Sequence, residues 1–449
     1  MSSPTIPDEA DCPLTAGIGQ RPTPHPHATG HTPPPRDWRR IIARLGARIG
    51  LSLMLLNPPA LHAGTSTETL QPAPPTLALR VLSLNAEHLM SRHRFRRWQA
   101  ICGAHHWQAP PEGQRPPELT YCDALNGRNA RGQLVHGPLR HDRDLTAKVR
   151  QLRQLIRQAS PDILLLQEVS DRQAVQSLLD EGWAIHTSEE YWRGTPMPQH
   201  VAIAWRRARF PIQPQVALID SISQRTETGH QTRPGLSALI DLGPALRLSI
   251  LNVHLKAGCR LGRLERSSSR QPTRYWRRRD ACRTLQAQIP PLEAWLDAQI
   301  LAGRQVLITG DFNRDLRSER KAGLPARADG SPAGSPIGPD SEAGSSRISS
   351  LLAELDDDVP PGSRLHLVAS GPYRKRADCH RHITPFLLSR GLAPFLTDSL
   401  DALRVQVIPF AEPVSLNQPR PSDHCPHLLV LPLTRLPSEA VTDQAMHPR

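Results

Sequence analysis

The stretch VLITGDFN (306–313) is a short apolar run that ends in a carboxylate and an amide, Asp311 and Asn313. Four more apolar runs of the chain end in, or open from, polar residues in the same way: LRVLSLN (79–85), DILLLQE (162–168), LSILNVH (248–254) and PSDHCPHLLVL (421–431). Short apolar runs of this kind predict buried strands. A core strand is not stabilised by a carboxylate, amide or imidazole at its end, so the repetition predicts that these strand ends carry the function.

The composition indicates one catalytic domain with irregular additions. The chain has 449 residues, of which 38% are hydrophobic and 46 are proline, and its mean hydropathy is -0.43. These values imply that part of the length is linker, tail or surface insertion. The net charge of +13 favours polyanionic partners such as nucleic acid, anionic lipid or phosphorylated substrates. Arginine enrichment through GC-rich coding explains the charge equally well, so the charge supports a phosphate substrate without choosing one.

Residues 1–63 are predicted to be a disordered leader followed by a signal peptide. A start rich in Pro, Thr and His precedes a basic flank, the apolar run IIARLGARIGLSLMLL (41–56) and the small residue Ala63. This succession is typical of a secretory signal, whereas Arg44 and Arg48 inside the run argue against a transmembrane anchor. We expect a periplasmic or secreted protein; a cytoplasmic amphipathic helix is the alternative.

Six cysteines follow the leader, and no two of them have CxxC spacing. This usage is typical of a disulfide framework in an oxidising compartment rather than of a zinc site. Chain order suggests the pairs Cys102 with Cys122, Cys259 with Cys282, and Cys379 with Cys425. Six reduced, buried cysteines in a cytosolic protein are the alternative.

Composition also predicts the boundaries inside the chain. A linker covers 64–76, the catalytic domain covers 77–435, and a tail covers 436–449. The domain is expected to contain a polar, Pro- and Gly-containing insertion at 103–143 and a mobile low-complexity loop at 318–348.

Hydrophobic periodicity predicts helices between the strands. LTAKVRQLRQLIRQ (145–158) has the helical period, and a second helix is predicted over 274–301 with an interruption near Pro290 and Pro291. Strands dominate and no repeat of fixed period is present, which favours a layered α/β sandwich over a solenoid or propeller.

The polar strand ends offer the ligands of a hard cation. Glu168, Asp311 and Asp423 are oxygen donors, and a set so poor in nitrogen and sulfur suits Mg²⁺ or Mn²⁺ better than Zn²⁺. A divalent ion beside a carboxylate or imidazole that handles the water proton predicts metal-assisted phosphoester hydrolysis.

Five motifs, in this order, resemble those of the endonuclease/exonuclease/phosphatase superfamily, which is related to pancreatic-type deoxyribonuclease and neutral sphingomyelinase. They are LSLNAEHL (82–89), LLLQEV (164–169), NVHLKAG (252–258), GDFN (310–313) and SDHCP (422–426). Each motif alone is weak, but their order makes the match specific. The resemblance implies a four-layer α/β sandwich with two packed mixed β-sheets flanked by helices. It also implies a metal-dependent phosphodiesterase, here of a secreted bacterial type.

The resemblance implies a metal role for three residues. Asn85 would orient the metal ligands, Glu168 would bind the metal directly, and Asp423 would bind it or orient the last imidazole. The side chain of Glu87 is expected either to be exposed or to support these ligands.

Four further residues are implied to be catalytic. Asp311 would align or deprotonate the attacking water, and Asn313 would hold a phosphate or transition-state oxygen. His424 would act as general base or charge stabiliser, and His254 would contact the phosphate or protonate the leaving group.

One position departs from the pattern of the superfamily, which usually has an Asp that orients a catalytic histidine in the strand before the last motif. Thr384 and Pro385 stand there in the run ITPFLLSRGL (383–392). Either Asp378 or His382 supplies the partner, or the imidazole lacks its carboxylate, which generally costs orders of magnitude in rate.

A basic segment with Arg277, Arg278 and Arg279 is expected either to bind the phosphate backbone of a substrate or to be a solvated helix start. The function predicted is therefore an extracytoplasmic nuclease acting on DNA or RNA, with no obligate protein partner indicated. A sphingomyelinase-type phospholipase or other phosphoesterase is one alternative, although the 4% aromatic content provides no clear membrane-contacting loop. A weakly active or non-catalytic member is the other, because of Thr384 and Pro385.

Overall fold

The structure is a computed structural model that describes residues 77–128, 132–265, 272–327, 348–371, 379, 383–410 and 415–434; for 77 and 272–276 it describes the backbone only. The predicted leader, linker and tail lie outside the described residues, as do Asp378, His382 and most of the loop predicted at 318–348. None of the described helices is long and apolar enough to cross a membrane.

The described part of the chain contains seven α-helices and thirteen strands. The helices are α1 (Arg92–Ala104), α2 (Asp142–Ala159), α3 (Arg172–Gln176), α4 (Ser188–Tyr191), α5 (Pro272–Leu301), α6 (Leu316–Ala322) and α7 (Leu351–Leu355). The strands are β1 (Leu77–Leu89), β2 (Ile163–Val169), β3 (Trp183–Thr187), β4 (His200–Arg206), β5 (Gln215–Ile219), β6 (Gly235–Asp241), β7 (Arg247–His254), β8 (Gln305–Asp311), β9 (Leu365–Leu367), β10 (Ala369–Ser370), β11 (Phe386–Ser389), β12 (Arg404–Val407) and β13 (His427–Leu433).

The strands form two mixed sheets, as expected. One sheet has the order β10-β12-β13-β1-β2-β4-β3 and the other has the order β5-β6-β7-β8-β11-β9. In each sheet the central pair is parallel, β1 with β2 and β7 with β8, and most of the outer pairs are antiparallel. The parallel pairs bring the carboxyl ends of their strands to one edge, because parallel neighbours point the same way.

Three hydrophobic cores separate four layers. One core packs α1 and α2 on the first sheet, the second lies between the two sheets, and the third packs α5 and α7 on the second sheet. The four-layer sandwich predicted from the sequence is therefore confirmed.

Two expectations about local structure were wrong. Helix α5 runs through Pro290 and Pro291 without interruption, because the neighbouring Ile289 and Leu292 are fully buried and packing outweighs the loss of helical hydrogen bonds. Residues 318–322, predicted as the first part of the loop, belong to helix α6. That helix is capped by Asp315 and anchored by the buried Leu316 and Glu319.

Three disulfides join Cys102 to Cys122, Cys259 to Cys282, and Cys379 to Cys425. These are the pairs suggested by chain order. The first closes a 20-residue separation at the start of the insertion, and its two sulfur-bearing residues are buried in the core beside α1. The insertion is thereby tied to the sandwich.

Candidate active site

Strand pairing brings the polar strand ends together. Asn85 faces Gln167, next to Glu168, across the parallel β1–β2 pair, and His254 faces Asp311 across the parallel β7–β8 pair. The last motif reaches the same edge because β13 runs antiparallel to β1, with His427 opposite Ser83. Residues far apart in the sequence therefore meet at one edge of the sandwich.

Glu168, His254 and Asp311 form the centre of this cluster. Each offers one ligand atom, and these atoms all lie within 4.8 Å of one another. His254 Nε2 is 3.7 Å from Glu168 Oε1 and 3.5 Å from Asp311 Oδ2. Among the described residues this is the one group of three or more His, Cys, Asp or Glu side chains with a spacing suited to a metal ion.

Asn85 connects the two carboxylates. Its Nδ2 donates to Glu168 Oε1 and to Asp311 Oδ2, both at 2.9 Å, while its Oδ1 accepts a hydrogen bond from the backbone N–H of Glu87 at 2.8 Å. The side chain is fully buried. Its amide is thus used to hold carboxylates in place.

Backbone conformations around the site are unusual. Glu168 has φ of 59° and Asn313 has φ of 51°, in the left-handed region that few non-glycine residues adopt, and Glu168 lies at a register shift of β2. Such strain persists where surrounding structure enforces it, and it is concentrated at functional sites. Gly310 has φ of 127°, and a Cβ there would overlap the carbonyl oxygen of Val253, so the glycine of the GDFN motif is required sterically.

Asn313 supports the Asp311 carboxylate. The Asn313 backbone N–H donates to Asp311 Oδ1 at 2.8 Å, and its Nδ2 donates to the carbonyl of Leu255 at 3.0 Å. These bonds fix the turn that follows β8.

The last motif is attached to β1 through a serine. Ser422 Oγ donates to the carbonyl of Asn85 at 2.6 Å and accepts from the His424 backbone N–H at 2.9 Å. His424 Nε2 then lies 3.6 Å from Asp311 Oδ2 and 3.6 Å from Asp423 Oδ1. Asp423 is outside the group of three with metal spacing; it pairs instead with His424 and with Arg420, whose Nη2 is 3.5 Å from Asp423 Oδ2.

The pKa values of Glu168 and Asp311 are shifted in opposite directions. Burial by itself raises the pKa of Glu168, but His88, the Asn85 hydrogen bond and Arg233 lower it to a net value below the ordinary one. Burial raises the pKa of Asp311, and the favourable contacts with His424 and Asn85 do not fully offset this. The surroundings therefore favour the ionised form of Glu168 and disfavour that of Asp311.

The two imidazoles are shifted in opposite directions. Burial, followed by the positive charge of Arg233, lowers the pKa of His254 well below its ordinary value. Burial also opposes charging of His424, but the carboxylates of Asp311 and Asp423 raise its pKa above the ordinary value. His254 is therefore the neutral imidazole and His424 the readily protonated one.

Several residues of the site escape prediction from the sequence. Arg233 Nε and Nη2 lie 3.2 and 3.0 Å from His254 Nδ1, and Nη2 lies 2.5 Å from His254 Nε2. The His88 backbone N–H donates to Glu168 Oε2 at 3.2 Å. No local signal marks Arg233, which lies in a loop. His88 follows Glu87 within the first motif, so its position in LSLNAEHL is the one available indication.

The side chains of Asn252 and Glu87 are both buried, and each binds neighbouring segments of the fold. Asn252 is buried between the sheets, where its Nδ2 donates to the carbonyls of Leu166 and Ala202 at 2.9 and 2.8 Å and its Oδ1 accepts from Gln167. Glu87 is only 6% exposed and pairs with Arg420. An exposed Glu87, one of the two expectations, is therefore wrong.

Thr384 and Pro385 lie beside the GDFN turn. The backbone N–H of Phe312 donates to the Ile383 carbonyl at 2.8 Å, and Thr309 Oγ1 donates to the Pro385 carbonyl at 2.7 Å. Thr384 Oγ1 is buried without a hydrogen-bond partner among the described residues. The position where an orienting Asp was expected is therefore occupied by two neutral residues, Thr384 and Pro385.

The three arginines of the basic segment lie in the N-terminal part of helix α5. Arg277 is exposed, and Arg277 and Arg278 line an open groove of about 650 Å³ together with Lys256 and His230. Arg278 Nη2 donates to the Leu261 carbonyl at 2.9 Å. Arg279 does not line this groove.

A search of curated proteins finds no match. Structures similar to this chain include TDP2 from C. elegans (14% identity, 79% of this chain and 75% of that chain, TM-score 0.40). Others are ANGEL2, a 2',3'-cyclic phosphatase (15%, 80% and 97%, TM-score 0.41), and an endonuclease/exonuclease/phosphatase from Bacteroides vulgatus (12%, 80% and 99%, TM-score 0.39).

The sequence model of the Endonuclease/Exonuclease/phosphatase family matches residues 129–424, well over half of the chain. The match contains three of the five motifs whole and the first three residues of the last one. Members of this family hydrolyse phosphoester bonds, commonly with a divalent metal ion. On this match, and with the strand ends gathered as described, the chain belongs to the Endonuclease/Exonuclease/phosphatase family and is an enzyme that hydrolyses phosphoesters.

Proposed function

We propose that this enzyme is a Mg²⁺-dependent phosphodiesterase, exported from the cytoplasm, that hydrolyses nucleic acid. The observation that carries the proposal is the pair of carboxylates, Glu168 and Asp311, bridged by Asn85 and adjoined by His254.

The donor set fits a divalent ion. Two carboxylates held close together in a buried site repel each other, and a cation between them offsets that repulsion. Their oxygens are the ligands that Mg²⁺ and Mn²⁺ prefer, and Glu168, with its lowered pKa, is the main ligand in this proposal. A divalent ion held there supplies positive charge that stabilises a phosphate oxygen and the leaving oxygen.

Each side chain has a role that its surroundings support. Asp311, whose pKa is raised by burial, accepts the proton of the attacking water, and Asn313 holds the Asp311 carboxylate in orientation. His424, whose pKa its carboxylate neighbours raise, is protonated and offsets charge on the phosphate. Asp423 orients His424, while the neutral His254 contacts the phosphate together with Arg233, which lies against both nitrogens of its ring.

Charge around the site favours nucleic acid over a choline lipid. Arg233 and Lys256 line the cavity next to His254, and Arg277 and Arg278 line the groove beyond it. These cations attract successive phosphates of a polynucleotide and repel the quaternary ammonium of a sphingomyelin headgroup.

A substrate panel tests the proposal. Purified full-length protein is incubated with plasmid DNA, RNA and sphingomyelin vesicles, each with Mg²⁺ or with chelator, beside a His424→Ala variant. We expect cleavage of nucleic acid that chelator and the variant abolish. Hydrolysis of sphingomyelin alone would favour the phospholipase.

The position of Thr384 supports a second candidate, a weakly active or non-catalytic family member. No metal-dependent cleavage of any of the three substrates would favour it over the nuclease. Turnover at an ordinary nuclease rate would exclude it.

Export rests on the leader predicted from the sequence and on the three disulfides. Its test is fractionation of cells that express the full chain, with titration of free thiols in the recovered protein. Recovery from the cytoplasm with all thiols reduced would contradict export.

A further inference from the structure

A cavity of about 340 Å³ adjoins the catalytic cluster, and we call it the insertion pocket. Three segments enclose it: residues 115–121 of the disulfide-tied insertion, residues 195–199, and residues 226–233. Lys256 and Asp280 complete its lining. The pocket has the size of a site for one small organic group, since such pockets start at roughly 300 Å³.

The insertion pocket opens onto the catalytic residues at two points. Arg233 lines the pocket and donates to His254 Nδ1 at 3.0 Å. Gln199 also lines it, and Gln199 Nε2 lies 3.2 Å from Nδ1 of His88, whose backbone N–H bonds the Glu168 carboxylate. A group in this pocket is therefore adjacent to the phosphate on which the cluster acts.

The insertion supplies a flat aromatic surface beside this opening. Tyr121 is 47% exposed, although it adjoins the disulfide-bonded Cys122 and follows Thr120, whose Oγ1 bonds His88 Nδ1 at 2.7 Å. The guanidinium of Arg115 lies 4.4 Å from the centre of the Tyr121 ring and is itself held by the backbone carbonyl of Leu119. Arg115 thus covers part of the ring, while nearly half of Tyr121 remains exposed.

The rest of the lining suits a planar group attached to an anion. Pro196, Met197 and Pro198 form a stiff, mostly apolar wall, and Arg115, Arg233 and Lys256 contribute positive charge. Asp280 is the one acidic residue in the lining, and it already accepts a hydrogen bond from the Glu227 backbone N–H. Apolar walls, an aromatic face and cations together match a nucleobase joined to its phosphate.

We propose that the insertion pocket is a nucleobase subsite in which Tyr121 stacks on the base next to the scissile phosphate. The inference rests on the proposed nuclease function and narrows it. A pocket of this size takes one base and not a base pair, so the substrate is single-stranded nucleic acid or a nucleotide turned out of its helix.

A kinetic comparison tests the subsite with the full-length protein. Two substrates are used, a single-stranded oligonucleotide and a phosphodiester oligomer of the same length that carries no bases. We expect Tyr121→Ala to raise KM for the oligonucleotide about tenfold, with kcat within about twofold, because a base–aromatic stack is lost. The same variant leaves KM for the abasic oligomer unchanged, and Tyr121→Trp restores the wild-type KM.

Leu134→Ala is the matched control, because Leu134 is 42% exposed in the same insertion but outside the pocket lining. A second readout does not depend on turnover. An oligonucleotide containing 2-aminopurine, bound in chelator, loses fluorescence when its base stacks, and Tyr121→Ala is expected to abolish that quenching.

The outcomes separate the subsite from the function. If the wild type cleaves the oligonucleotide but Tyr121→Ala changes both substrates equally or neither, the subsite is wrong and the nuclease stands. If the wild type cleaves nothing yet quenches 2-aminopurine through Tyr121, the nuclease is wrong and the pocket still binds a base. Preference for duplex over single strands would also overturn the subsite.

Discussion

Arg420 and Glu87 form a bidentate ion pair, in which Arg420 Nε lies 2.9 Å from Oε1 and 3.0 Å from Oε2 of Glu87. On its other side Glu87 Oε2 is 3.7 Å from Nζ of Lys148, a lysine of α2 that is only 1% exposed and whose pKa is lowered by burial. Arg420 also reaches Asp423 Oδ2 at 3.5 Å. A buried carboxylate thus connects helix α2 to the residue beside His424.

Replacing Glu87 with Gln should destabilise the fold, because Lys148 and Arg420 then lose their buried counter-charge. We expect a loss of about 3 kcal/mol in the free energy of unfolding, as is usual when one partner of a buried pair is removed. Urea denaturation measures it. Glu118→Gln is the control, since Glu118 pairs with a half-exposed Arg97 and should change stability by about 1 kcal/mol or less. Equal losses in both variants would contradict the structural role of Glu87.

Asp311→Asn should lower kcat by about 10²- to 10⁴-fold, the usual contribution of a positioned general base. Glu168→Gln should weaken Mn²⁺ binding, measured by calorimetry, because it removes a carboxylate whose surroundings lower its pKa and so favour its ionised form. Asp398→Asn, at an exposed position, is the control and should change neither quantity. Retention of tight Mn²⁺ binding by Glu168→Gln would argue against its role as main ligand.

The pH dependence of kcat should be bell-shaped. Activity rises as Asp311 ionises, and because burial raises the pKa of Asp311, this limb lies above the ordinary range of an aspartate. Activity falls as His424 loses its proton, and because Asp311 and Asp423 raise the pKa of His424, this limb lies above the ordinary range of a histidine. In Asp423→Asn the alkaline limb should move to lower pH. An alkaline limb that does not move would contradict protonated His424 as the charge stabiliser.

Binding of single-stranded nucleic acid should weaken with salt, and Arg277→Ala should reduce that dependence. Each lost phosphate contact lowers the slope of log K against log salt by about 0.7 for single strands. Fluorescence anisotropy at several salt concentrations measures the slope. Arg143→Ala, whose side chain is 83% exposed next to Asp144, is the control. An identical slope in both variants would exclude Arg277 as a phosphate contact.

Removing the first disulfide should lower stability and loosen the insertion pocket. In Cys102→Ser/Cys122→Ser the unfolded chain regains the freedom of a 20-residue loop, and the expected loss in unfolding free energy is about 3 kcal/mol. The same double variant should also raise KM for a single-stranded oligonucleotide, because Tyr121 adjoins Cys122 and loses the anchor that the disulfide provides. A double variant with unchanged KM would show that the disulfide does not position Tyr121.

Local patterns in the sequence were enough to predict the five strands with polar ends and the layered sandwich, but not edge strands such as β5 and β12. Short apolar runs such as DILLLQE and VLITGDFN are typical of buried strands, so Glu168 and Asp311 could be assigned to strand ends without coordinates. The helix predicted over 145–158 from its period is also present, as part of α2. The same reasoning failed at Pro290 and Pro291, because helix α5 is held by contacts with the second sheet that no local pattern reveals.

The residue types at the strand ends, and with them the class of chemistry, can be read from the amino-acid sequence. How these side chains meet depends on the folded arrangement. It turned the Asn85 amide toward two carboxylates, placed Arg233 on His254, and joined Glu87 to Arg420 across 333 residues of chain. The physical reason is that secondary structure follows from contacts within a few residues, whereas ion pairs and hydrogen bonds between distant segments depend on sheet register and on the packing of layers.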